Sequence, residues 1–174
     1  MLPLTWVVLI ACAIAVVTDM RARRIPNYLT LGLAVVALVV HAREGWQSLL
    51  VSLLMFVVVM FLGMIAFSLG WLGGGDVKLA AAAAAALGYP DTVAFLLYMS
   101  IGGGLFAMIY AAANGRVALS VRNVALMLRP IAFKGTVAVA PATRVAFPYA
   151  TAIAAGVIAV ALSHTVAPFL RLPL

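Results

Sequence analysis

Long stretches without a single charged side chain recur from one end of this chain to the other, and the longest, Leu49–Leu72, runs for more than twenty residues. Lipid offers the backbone no hydrogen-bond partner, so only helices and closed barrels can cross it. Barrel strands would alternate apolar and polar residues over segments of about ten, whereas these stretches are continuously apolar. Of the 174 residues, 67% are hydrophobic and 9% charged; soluble domains carry roughly 25% charged residues. The apolar runs continue well past the N-terminal region, so a cleaved signal peptide ahead of a soluble domain does not explain them. The expected fold class is all-α: a polytopic membrane protein.

Six apolar segments are expected, at Leu2–Thr18, Ile25–Val40, Leu49–Leu72, Val77–Leu87, Thr92–Ala113 and Val145–Pro168. A full span needs about 20 residues, and the second segment is marginal on that test. The fourth is too short alone, since its residues rise only about 16 Å at 1.5 Å each. Either it borrows from Gly88 onward, or it sits inside the bundle while neighbours carry the bilayer's thickness. Its seven consecutive alanines, Ala80–Ala86, favour the second arrangement, because small side chains let helices approach closely. Gly102–Gly104 are read the same way. The expectation is a six-transmembrane-helix bundle forming a single domain, residues 1–174.

Basic residues set its orientation. With the loop after the first segment placed in the cytoplasm, Arg21, Arg23, Arg24, Lys78, Arg116, Arg122, Arg129, Lys134 and Arg144 are inside, and only Arg43 and Arg171 are outside. Both termini then lie outside. The net charge of +7 is accounted for by this topology, and no nucleic-acid partner is expected, since no aromatic interleaving or DNA-binding motif accompanies it. The basic stretch 114–144 places Val117, Val121, Val124, Ala125 and Leu128 on one helical face, opposite Arg116, Ser120 and Asn123. That pattern fits an interfacial cytoplasmic helix meeting anionic headgroups. The single cysteine, Cys12, excludes an intrachain disulfide and a multi-cysteine metal site and reads as a small packing residue.

Against this background the chain has four acids, and two of them stand in distinctive settings: Asp19 opens D-M-R-A-R-R-I-P-N, and Asp76 closes G-G-G-D ahead of V-K. An acid at membrane depth is costly and is a functional candidate by default. Two readings stand for each. Asp76 caps the following helix as an N-cap, and Asp19 pairs with Arg21, Arg23 or Arg24 in a solvated loop; or both belong to one site. Gly73, Gly74 and Gly75 permit positive φ and close backbone approach at the turn, while Pro26 and Asn27 end one segment and start the next. Both acids follow outward-to-inward segments, so they arrive at the same membrane depth. Two carboxylates within hydrogen-bond reach share a proton: one activates a water as general base, the other donates to a substrate carbonyl. His41 and His164 map to the opposite face as interfacial polar residues, and Glu44 and Asp91 to solvated loops there. No H-E-x-x-H or G-x-S-x-G motif is present, so zinc and serine chemistry are not expected, and neither is any other cofactor or metal.

The two motifs, in this order and topology, resemble those of the type IV prepilin peptidases, a family of integral-membrane aspartic peptidases. F-P-Y-A at 147–150 looks like that family's aromatic-proline element at the start of the last helix. The resemblance implies that Asp19 and Asp76 are the catalytic pair, with Lys78 beside them as a charge that keeps one aspartate ionised or orients substrate. Gly73, Gly75, Pro26 and Asn27 would support the site. It implies a prepilin or pseudopilin substrate, cleaved at the cytoplasmic face of the inner membrane between a basic leader and a hydrophobic helix. Larger members carry a cytoplasmic segment with paired C-x-x-C motifs associated with N-methylation. Its absence here points to peptidase activity without methyltransferase activity, as in the compact Flp/Tad-type or archaeal preflagellin enzymes.

Two other functions use similar residues. A presenilin-like intramembrane protease also has G-x-G-D, but Thr18 stands where its Tyr-Asp pair would need tyrosine, and no P-A-L element occurs near the end. A small proton-coupled transporter also uses intramembrane acids and glycine-broken helices, yet no third acid continues a relay across the bilayer.

Overall fold

The computed structural model describes residues 2–113, 115 and 149–165. They form six α-helices and, among the described residues, no strand: α1 (Leu2–Ala22), α2 (Asn27–Glu44), α3 (Trp46–Ser68), α4 (Gly74–Leu87), α5 (Asp91–Ala113) and α6 (Tyr149–Thr165). Three stretches are long and apolar enough to cross a membrane, Leu4–Ala22, Trp46–Ser68 and Asp91–Ile109. The interfacial helix expected within 114–144 lies outside the described residues. The chain divides into two compact units, Met1–Gly103 with Pro148–Leu174, and Gly104–Phe147. Of the second, the described part is the end of α5 with Gly115, where Leu105, Phe106, Met108 and Ile109 are exposed.

In the first unit α4 is the centre. It packs against α1, α2, α3 and α6, and Val77 and every residue from Leu79 to Leu87 are buried. Alanine explains why this is the inner helix: a run of single methyl groups presents no knob that would hold neighbours away on any side. The longer helices turn their bulk outward. Along α3, Leu50, Leu54, Val57, Phe61, Leu62 and Ile65 are all exposed, an apolar surface suited to lipid. Gly102 and Gly103 face Ala155 and Ala152 of α6, the close packing expected of them.

A helix that stops inside a bundle leaves its last carbonyls without partners. At the end of α4, three neighbouring helices supply them. The Ser52 hydroxyl on α3 donates to the Ala85 carbonyl at 2.7 Å, Thr92 on α5 to that of Ala84 at 2.9 Å, and the His41 Nε2 on α2 lies 3.3 Å from that of Ala86. His41 is thus enclosed by protein, at 4% exposure, and is not a freely solvated polar residue. Its Nδ1 meets Ser48 at 2.8 Å and Glu44 at 3.0 Å. Glu44 ends α2 and Asp91 begins α5, so neither lies in a solvated loop; Asp91 pairs with His164 on α6 at 2.8 Å. Two histidine–acid pairs thus sit at the same end of the bundle, opposite the start of α4.

Candidate active site

Helix α1 runs four residues beyond the apolar segment expected from the sequence, so Asp19 lies within its last turn and not in a loop. Arg23 ends the helix in the left-handed conformation, φ 49°, with its N–H on the Asp19 carbonyl at 2.8 Å. Pro26, extended at φ −64° and ψ 132°, then opens α2. An anion in the last turn of a helix faces the negative end of its dipole and does not support it. Nor, among the described residues, is Asp19 held by an arginine: the ion pairs there are His41–Glu44 and His164–Asp91, and Arg21, Arg23 and Arg24 are exposed. Neither structural explanation for this acid fits its surroundings.

The second motif is built from two successive helix ends. Helix α3 closes in a Schellman arrangement, with the Trp71 N–H on the Ala66 carbonyl and the Gly70 N–H on that of Phe67, both at 2.9 Å. The positive φ this requires falls at Gly70, 74°, and not at the three glycines ahead of Asp76. Gly73 is the N-cap of α4, with φ −81°. Asp76 is then the third residue of the helix, not its N-cap, and its Oδ2 accepts the Gly73 N–H at 3.2 Å. Half of a capping box results, since glycine has no side chain to reciprocate. The motif's glycines answer to crowding: a Cβ on Gly73 would stand 2.7 Å from Asp76 Oδ2, and one on Gly75 would stand 3.1 Å from the Ile25 Cβ.

That last contact joins the two motifs, because Ile25 belongs to the α1–α2 connection. A second link is the Lys78 ammonium, which donates to Asn27 Oδ1 at 2.9 Å. Lys78 is exposed and engages this amide, not a carboxylate. The third link is electrostatic. Asp76 precedes the apolar run of α4, and its carboxyl is pushed up to about 6, first by burial and then by the negative charge of Asp19, with the Gly73 N–H opposing both. Both acids are half-buried. Tyr149, at the start of α6, lies within electrostatic reach of Asp76. The sequence pointed to this residue only through F-P-Y-A, whose first two members lie outside the described residues. Two mutually felt carboxylates, one holding its proton toward neutral pH, can act as acid and base on one bond. Among the described residues no three His, Cys, Asp or Glu side chains gather as a metal would need.

Among the described residues, an all-helical arrangement with membrane-length apolar helices and two adjoining acid-bearing turns defines a class of helical membrane protein. The model of the type IV leader peptidase family matches residues 6–108, a stretch that contains both motifs, and the chain belongs to that family. No curated protein and no solved structure matches it.

Proposed function

We propose that this protein is a prepilin leader peptidase that hydrolyses its substrate with Asp19 and Asp76 as an aspartic dyad. The observation that carries this reading is that the two acid-bearing turns adjoin, with Ile25 close against Gly75 and Lys78 bonded to Asn27; the negative charge of Asp19 adds to the burial that raises the Asp76 carboxyl. Carboxylates drawn into one site share a proton and cannot both ionise easily. In this reading Asp76, which keeps its proton toward neutral pH, donates to the scissile carbonyl oxygen. Asp19 takes a proton from water as that water attacks the carbonyl carbon. The tetrahedral species then collapses with proton return to the leaving amine.

The substrate is a prepilin or pseudopilin of the Flp/Tad type, cut between its basic leader and hydrophobic helix. The compact chain acts without methyltransferase chemistry. The fold that presents the dyad is a six-span membrane bundle. Its active site faces the cytoplasm at the inner membrane, and both termini lie outside. The basic-residue distribution supports this orientation.

The test is incubation of the purified protein with candidate prepilins, with product masses read for wild type, Asp19→Asn and Asp76→Asn. Cleavage at the leader junction by wild type is expected, with a loss of roughly 10²-fold or more in each variant. Full activity in either variant rejects the dyad. Cuts deep within the substrate's helix assign the chain to presenilin-like proteolysis instead.

A further inference from the structure

We propose that Lys78 and Asn27 form a clasp that holds the two acid-bearing turns together, so that Lys78 is a positioning residue and not a substrate contact. The inference rests on Asp19 and Asp76 being the reacting pair. Asp19 is on α1 and Asp76 on α4, and nothing in the covalent chain keeps those helix ends at a set separation. When both acids are ionised, their charges push the ends apart. Beyond the general packing of α4 against α1 and α2, two contacts between the motifs themselves oppose that. Ile25 against Gly75 is apolar and carries no direction. The Lys78–Asn27 hydrogen bond, at 2.9 Å, is directional. It also joins the first residue of α2 to a residue two positions beyond Asp76. An exposed lysine beside a pair of acids would be expected to seek a carboxylate; bonding a neutral amide from the other motif instead commits one of its three donors to geometry. Since a displacement of about 1 Å at reacting groups can cost on the order of 10²-fold in rate, such a clasp is worth most to the chemical step.

The test combines kinetics on a cleaved prepilin with a distance measurement. Lys78→Met and Asn27→Ala are each expected to lower kcat by about ten-fold or more while moving KM by less than about three-fold, as loss of geometry without loss of substrate contact requires. The double variant is expected to be no worse than either single one, and Lys78→Arg, which keeps a donor, to recover most of the rate. In parallel, spin labels at the exposed Ala22 and Trp71, with Cys12 replaced by alanine, report the separation of the two turns. Their distance distribution is expected to broaden in Lys78→Met and Asn27→Ala and to stay narrow in Lys78→Arg. Unchanged distances in both, additive kinetics, or a rise in KM alone would overturn the clasp. If Lys78→Met does not fold, Asn27→Ala, which leaves the lysine intact, decides the same question. Should the wild type cleave no prepilin, the proposed function fails, and the label distances still judge the clasp by themselves.

Discussion

The Gly73 N–H and the Asp76 carboxylate close a ring at 3.2 Å that folds the acid back over the turn leading into α4. One oxygen is thereby committed to the backbone, and the other is left to meet Asp19 or a substrate. A methyl group at position 73 would stand 2.7 Å from that committed oxygen, and the carboxylate is the flexible partner that must yield.

Gly73→Ala is therefore expected to separate folding from chemistry. Its φ of −81° suits alanine, so stability should stay within about 1 kcal/mol of wild type. The displaced carboxylate should lower the cleavage rate roughly 10- to 100-fold. Thermal melts in detergent beside kcat for a prepilin check this; a collapse of the fold would show that the backbone, and not the acid, is what the methyl disturbs.

The Asp76 carboxyl gives a pH signature with a definite sign. Its value rises from 3.8 to about 6 on folding, so the native state binds the proton more tightly and stability falls as pH climbs through that window. Asp76→Asn escapes the penalty while keeping an acceptor for Gly73. Its melting temperature should exceed that of wild type increasingly from pH 4 to pH 7, with a ceiling of about 3 kcal/mol at roughly 1.4 kcal/mol per pKa unit. Wild-type cleavage should decline as pH rises above about 6, where the donor is lost. A rate that grows through neutral pH would contradict the assignment of Asp76 as acid.

Ser52→Ala deprives the Ala85 carbonyl of the hydroxyl that meets it at 2.7 Å. The expected loss is about 0.6–1 kcal/mol, the span between the averages for membrane-embedded and water-soluble hydrogen bonds. Equilibrium unfolding in mixed detergent measures it, and no change would mean that the carbonyl finds another donor.

Bulk at the centre should be far less tolerated than loss of bulk at the rim. Ala83 is fully buried, and Ala83→Leu is expected to destabilise the bundle by about 1–3 kcal/mol through overpacking. Leu62, 53% exposed on α3, should accept alanine nearly without cost in the same assay.

What could be read from the sequence followed from how strongly each residue advertises its surroundings. The alanine run Ala80–Ala86 announced an inner helix because no lipid-facing segment benefits from seven methyl side chains, and all seven are buried. Asp19 and Asp76 stood out because acids are scarce in this chain. Boundaries were less legible. Asp19 was expected in a loop, but α1 continues until the left-handed Arg23 stops it. Of the two readings open for Asp76, the N-cap is the one that fails, because the extended Gly73 takes that place. The role of His41 is not legible because a lone histidine carries no periodic signal; only the three-dimensional meeting of α2 with the end of α4 shows it meeting the Ala86 carbonyl. Lys78 and Asn27 each stand out within their motifs, but their pairing spans 51 positions, and no local pattern encodes it.

The enclosure of α4 has a consequence for where chemistry happens. Helices that touch acyl chains tilt or shift when bilayer thickness changes, because hydrophobic mismatch acts on their surfaces. From Val77 to Leu87 only Lys78 is exposed, and the far end is moored to three neighbouring helices. The level of Asp76 is thus referenced to protein and not to lipid, and it should hold steady between thin and thick membranes while the outer helices adjust around it.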